Sequence, residues 1–174
     1  PEPIEAHAQP VDLLRGQSRT YDLVSALHAC SEVEPVAENR ISLLREAGDL
    51  ARDEVGDPNL AAEQYQALLS VDRADVEALR ALASIREGQS RWNEVVALLE
   101  RQLEVAPDGE RADVARRIGA AYRDHLNDPR AAIAAYEKAL DIDSDDVETM
   151  DALEGLYREN DRIEALRSLL ERRA

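Results

Sequence analysis

Apolar side chains return every three to four positions through most of this chain. The pattern is cleanest from Ile118 to Leu140. Ile118, Ala121 and Tyr122 fall on one face, and Ala132, Ile133, Tyr136, Ala139 and Leu140 fall on another. That period belongs to helices buried along one stripe. Asn127-Asp128-Pro129 interrupts it. A proline opens a helix without loss, because the first helical N–H has no intrahelical partner. The stretch therefore predicts two helices joined by a tight turn.

The same pattern recurs. Shifted by 71 residues, Arg40 falls on Arg111, Gly48 on Gly119, Arg52-Asp53 on Arg123-Asp124 and Asp57-Pro58 on Asp128-Pro129. Tyr65 then meets Tyr136, and Asp75-Val76-Glu77 meets Asp146-Val147-Glu148. A shift of 72 aligns Gly16 with Gly88 and Pro35 with Pro107 upstream. Each period holds a longer and a shorter helical hairpin. Five repeats follow, near 4–36, 41–74, 76–109, 112–145 and 147–174. The predicted helices are 4–16 and 19–32, 37–54 and 58–70, 75–87 and 91–105, 110–125 and 129–141, and 146–158 and 161–173. Pro10 is expected to kink the first helix or to start it. Gly16 and Gly88 are expected to close helices in a left-handed conformation. Gly48 and Gly119 sit mid-helix, where glycine costs about 1 kcal/mol against alanine. Close approach of a paired backbone is the expected offset. Asp145-Asp146-Val147-Glu148 predicts an Asp cap close to a capping box.

These residues resemble the tetratricopeptide repeat, W-x2-L-G-x2-Y…A-x3-F…P over about 34 residues. Ile118-Gly119 and Tyr122 take the first-helix places, and Ala132, Tyr136 and Ala139 the second-helix places, with one extra residue in the turn. Leu82-Ala83, Trp92, Val95, Leu99, Gln102 and Pro107 repeat the spacing, although Trp92 starts a second helix and no repeat carries the family's first-helix Trp. The resemblance implies an all-α right-handed superhelix, a solenoid of about five hairpins and ten helices. It further implies that the first helices line a concave groove for a partner peptide. The groove positions are then Arg45, Asp49 and Arg52, Arg80 and Ser84, Arg116, Ala120 and Arg123, and Arg158. Arg45, Arg80 and Arg116 are equivalent, as are Arg52, Arg123 and Arg158. Such guanidinium rows suit paired hydrogen bonds to carboxylates. Intrahelical pairing, Arg45 with Asp49 and Arg52 or Arg123 with nearby acids, is the alternative use of the same groups. The family's clamp for chaperone tails uses Lys and Asn at such places, and this chain has neither there.

Composition narrows the function. The chain is 44% hydrophobic and 33% charged, with a net charge of −16, so it can bury a core but lacks the basic footprint of a nucleic-acid or anionic-membrane binder. The charge fits either a solvated surface or an acidic face that selects a basic partner. Aromatics are 3% with no Phe, which suits helices packed closely through Leu, Ala, Val and Ile. No apolar run reaches the roughly 18 residues of a membrane span. The stretch opens at Pro1 without a charged-then-apolar leader, and a cytoplasmic location is the default expectation.

Candidate chemistry is sparse. Asp141-Ile142-Asp143-Ser144-Asp145-Asp146 begins like a calcium loop, but the turn-glycine and bidentate-glutamate places hold Asp146 and Ala152. An acidic loop capping the next helix is the simpler reading. His7, His28 and His125 lie in different repeats, and Cys30 takes a small buried place, so no zinc set or nucleophile is expected. No phosphate loop or nucleophile elbow occurs. The expectation is a non-enzymatic scaffold with a protein or peptide partner and no cofactor, metal or nucleic acid. A structural module stacking end to end, or a helper domain of a larger enzyme or secretion machine, remains open. The pattern stops at Ala174 with no polar capping helix. That predicts a longer array, or a packing partner for Leu166, Leu169 and Leu170.

Overall fold

The alternation of apolar stripes and Asp-Pro breaks folds as helices joined by short turns. A computed structural model describes residues 19–173. Among them are nine α-helices and no strand: α1 Thr20–Val33, α2 Ala37–Leu50, α3 Pro58–Val71, α4 Val76–Gly88, α5 Trp92–Val105, α6 Asp108–Asp124, α7 Pro129–Ile142, α8 Val147–Glu159 and α9 Ile163–Arg173. The helix expected at 4–16, with His7, Pro10 and Gly16, lies outside the described residues, as does Ala174. The described residues divide into two compact halves, the first ending at Ile85 and the second beginning at Arg86.

In the N-terminal half, α2 packs between α1 and α3. Val24, Leu27, Leu44, Ala47, Tyr65 and Leu68 are buried there. His28 and Gln64 share a 2.8 Å hydrogen bond that ties α1 to α3. In the C-terminal half, Val95, Leu99 and Leu103 of α5 meet Val114, Ala115 and Ile118 of α6 and Ala139 of α7. A second cluster joins Ile133, Tyr136 and Leu140 of α7 to Leu153, Leu156 and Tyr157 of α8 and Leu169 of α9. Leu169 is thus covered and Leu166 packs against the same cluster, while Leu170 is exposed. The uncovered leucine face expected on the last helix is narrower than its sequence implies.

The turns explain the two hairpin lengths. In the shorter ones Arg91 N–H bonds Arg86 C=O at 2.9 Å, and Arg162 N–H bonds Tyr157 C=O at 2.8 Å. These are Schellman closures, with Ser90 and Asp161 left-handed at φ 57 and 54. In the longer ones Asp57 N–H reaches Ala51 C=O and Asp128 N–H reaches Tyr122 C=O, both at 3.0 Å. The extra residue widens the helix end; after α2 it makes a π-helical turn over Ala51–Val55. Gly56 and Asn127 are left-handed there. Gly88 is therefore not the left-handed residue: it is the last residue of α4 and Ser90 takes that role.

Asp57 accepts from Asn59 and Leu60 N–H, and Asp128 from Arg130 and Ala131 N–H. These caps and the following prolines fix the start of α3 and α7. The cap of α8 is Asp146, which accepts from Glu148 and Thr149 N–H at 3.0 and 3.3 Å. No capping box forms with Glu148, because the third helical residue is Thr149 and the Glu148 carboxylate binds Arg116 instead.

Gly48 and Gly119 also differ from expectation. A Cβ at Gly48 would lie 2.8 Å from Tyr65 Cε1, and one at Gly119 would lie 2.9 Å from Tyr136 ring atoms. The close approach is a tyrosine ring laid on bare backbone, not a second backbone.

Candidate functional site

Turns three and four residues apart put Arg45, Asp49 and Arg52 on one side of the α2 segment. Glu77, Arg80, Ala81 and Ser84 share one side of α4. Together with Tyr65 and Ile85 they line a cleft of about 550 Å³ within the N-terminal half. Arg45, Asp49, Arg52, Arg80 and Ser84 are the groove positions that the sequence assigns to this part of the chain.

Each arginine in the cleft already holds a carboxylate. Arg45 pairs with Asp75, whose other oxygen caps α4 by accepting from Ala78 N–H at 2.8 Å. Its partner is thus the cap of the next repeat's first helix, not Asp49 on its own helix. Asp49 lies instead in a small network. Tyr65 Oη donates to Asp49 at 2.7 Å and accepts from Arg52 at 2.9 Å. Arg52 also donates both arms to Asp53, at 2.7 and 2.8 Å. Its guanidinium pKa is raised, chiefly by the Asp53 hydrogen bonds, and Asp53 is lowered in return. Burial is the main cause raising the Tyr65 phenol, with the Asp49 bond second. Arg80 pairs with Glu77, one helical turn away, at 3.2 Å. Such pairs contribute only about 0.2–0.5 kcal/mol, so this one is readily exchanged.

The remaining positions lie in the C-terminal half. Arg116, the register partner of Arg45, pairs with Asp113 at 2.6 Å and with Glu148, and lies 4.0 Å from the cap Asp146. The Arg-to-cap arrangement recurs only as a proximity, since the Arg116 hydrogen bonds go to Asp113 and Glu148. Arg123 holds Asp124 at 2.6 and 2.9 Å, with its guanidinium carbon 5.7 Å from the Tyr136 ring centre. Ala120 stands where Asp49 stands one period earlier, so Tyr136 gets no carboxylate from that position. Arg158 pairs with Glu154 at 2.5 Å.

One contact escaped the sequence pattern. Trp92 and His125 stack with ring centres 3.4 Å apart and planes 2° from parallel. They sit at the start of α5 and just past the end of α6, positions far apart in sequence that no period links. Two smaller hollows, each about 260 Å³, repeat in the C-terminal half. One carries Glu100, Tyr122 and Lys138, the other Glu137, Tyr157 and Arg172. In the second, Tyr157 Oη donates to Glu137 at 2.8 Å.

Among the described residues no group of His, Cys, Asp or Glu is placed to hold a metal ion. In the acidic loop Asp143 accepts from Asp145 N–H and Asp146 caps α8. Cys30 is half-buried, less covered than its repeat position implies, and burial raises its thiol pKa. No described helix is long and apolar enough to cross a membrane.

Residues 78–113 match the tetratricopeptide repeat family. Solved structures extend the likeness over the chain. A crystal structure of MamA protein is 20% identical, with 97% of this chain and 88% of that one covered at a TM-score of 0.60. A tetratricopeptide repeat protein from Parabacteroides merdae is 17% identical, with 97% and 64% covered at 0.61. The fold is that of a tetratricopeptide repeat array. The N-terminal domain of stress-induced protein-1 from C. elegans is also similar, at 19% identity, with 71% and 98% covered at 0.59. No curated protein matches in sequence. Within a tetratricopeptide frame, Gly48 and Gly119 hold the first-helix small place, and Tyr65 and Tyr136 the second-helix aromatic place. Apart from Tyr65 on α3, the cleft side chains project from the α2 segment and α4.

Proposed function

We propose that this chain is a non-catalytic protein-interaction scaffold. A partner segment lies in the cleft between α2 and α4, against Arg45, Asp49, Arg52, Arg80 and Ser84. In the C-terminal half, taken by itself, Arg116, Ala120, Arg123 and Arg158 are the counterpart positions. The observation that carries the reading is the cleft itself: about 550 Å³, lined by charged groups on α2, its π-helical turn and α4. The similar tetratricopeptide folds support it. Pre-formed polar surfaces on rigid elements bind at low ordering cost. Ser84 is exposed, and Ser84→Trp fills the cleft without touching the core. Proteins captured by the wild-type chain from its source organism should be lost with Ser84→Trp while the helical circular dichroism is unchanged. Equal capture by both forms removes the cleft as the binding site.

A second reading, assembly through α9, draws on the exposed Ile163 and Leu170. Sedimentation at rising concentration tests it, and a constant monomer mass across the range counts against it.

A further inference from the structure

We infer that the cleft of the N-terminal half selects a partner segment by a basic side chain, a lysine or arginine seated against Asp49 and Glu77. This rests on the scaffold reading above and names the chemistry of its partner.

Three arginines line the cleft, which at first favours an acidic ligand. Their pairing reverses that. Arg45 is held by Asp75, Arg52 by Asp53 and Asp49, and Arg80 by Glu77. An incoming carboxylate would have to displace one of these and would then meet the others. In the lining itself two carboxylates, Asp49 and Glu77, face three guanidiniums. Asp53 and Asp75, bound to Arg52 and Arg45 from beside the cleft, bring the paired set to four acids against three arginines, in a chain of net charge −16. That field steers a cationic segment in and an anionic one away.

The acids also differ in availability. The Asp75 side chain is 9% exposed and is committed to its cap and to Arg45, whereas Asp49 is 47% and Glu77 67% exposed. Asp49 is held in place by the Tyr65 hydroxyl at 2.7 Å, so it is a pre-set acceptor. Glu77 is tied by a single-turn surface pair and can turn to a new cation. Ala81 and Ile85 line the same cleft and offer apolar surface to the aliphatic stem of a lysine or arginine, whose charged head then reaches the carboxylates. Arg52 helps to orient Asp49, and Arg45 stays with Asp75.

The test uses two labelled peptides of equal length, one with lysines spaced through an alanine–serine background and one with glutamates at the same places. Fluorescence anisotropy at low salt should show binding of the lysine peptide alone. Glu77→Gln and Asp49→Asn should each weaken it by up to roughly fivefold, the upper end for losing one exposed ion pair. Glu32→Gln, which removes the same net charge from an exposed position on α1 outside the cleft lining, should change it less than about twofold, as a screened charge without direct contact does. Tighter binding of the glutamate peptide overturns the inference, as does no binding of either. Equal weakening by all three variants shows general attraction only and also overturns it. Glutamate-peptide binding that Ser84→Trp abolishes would keep the scaffold reading and remove the basic ligand. Loss of the scaffold reading shows separately, as partner capture indifferent to Ser84→Trp.

Discussion

Gly119 carries the ring of Tyr136: a Cβ on Gly119 would sit 2.9 Å from three of its ring atoms. Alanine in a helix interior normally gains about 1 kcal/mol over glycine. Here Tyr136 is 2% exposed and cannot swing away, so overpacking, typically about 1–3 kcal/mol, outweighs that gain. Gly119→Ala should destabilise the chain in urea unfolding, and adding Tyr136→Leu should recover part of the loss. A stabilised Gly119→Ala would show that the ring yields.

Repeats made most of this fold legible. The 71-residue register placed α3 and α7 correctly, because proline and aspartate mark their starts through local chemistry. Turn handedness was less legible: Ser90 and Asp161 are left-handed without being glycine, since the Schellman hydrogen bond stabilises what the side chain disfavours. The groove positions came from the resemblance to the repeat; pairing with nearby acids holds for Arg52 and Arg123, whereas Arg45 pairs with Asp75 and not with Asp49. Asp75 follows α3 in sequence, and only folding brings it to Arg45 on α2. The Trp92–His125 stack was hidden for the same reason.

Leu99 is 1% exposed and lies in the α5–α6 cluster. Leu99→Ala should cost about 2–5 kcal/mol, as other buried leucine truncations do. A chemical-denaturation shift under about 0.5 kcal/mol, the size of an ordinary surface change, would contradict that packing.

Tyr65 and Tyr157 have phenol pKa values raised above the ordinary value, by burial first and by bonds to Asp49 and Glu137 second. A raised folded-state value means stability fully present below the unfolded pKa and lost as pH climbs above about 10. The melting temperature should therefore fall above about pH 10, and Tyr65→Phe should make that fall shallower. An identical alkaline slope in the variant would assign the effect elsewhere. On the acid side Asp53 and Asp124 are lowered by Arg52 and Arg123. Their contribution is present above about pH 4 and lost as pH falls below it. Both groups lie near the surface, so this limb should be the weaker.

Arg45 and Asp75 form a strut that is also a cap. Asp75 accepts from Ala78 N–H at 2.8 Å while holding Arg45, whereas the equivalent Arg116 bonds Asp113 and Glu148 and stays 4.0 Å from the cap Asp146. Asp75→Ala removes both bonds, and loss of an Asp cap costs about 0.5–2 kcal/mol. Asp75→Ser keeps a capping oxygen and removes only the ion pair, so the difference between the variants isolates the cap. Arg45→Ala removes only the pair and should cost less than Asp75→Ala. In a double-mutant cycle Arg45→Ala and Asp75→Ala should show coupling of at least about 0.5 kcal/mol, the low end for residues in contact. Additive losses would mean that Arg45 does not hold the cap, and would free its guanidinium for a ligand.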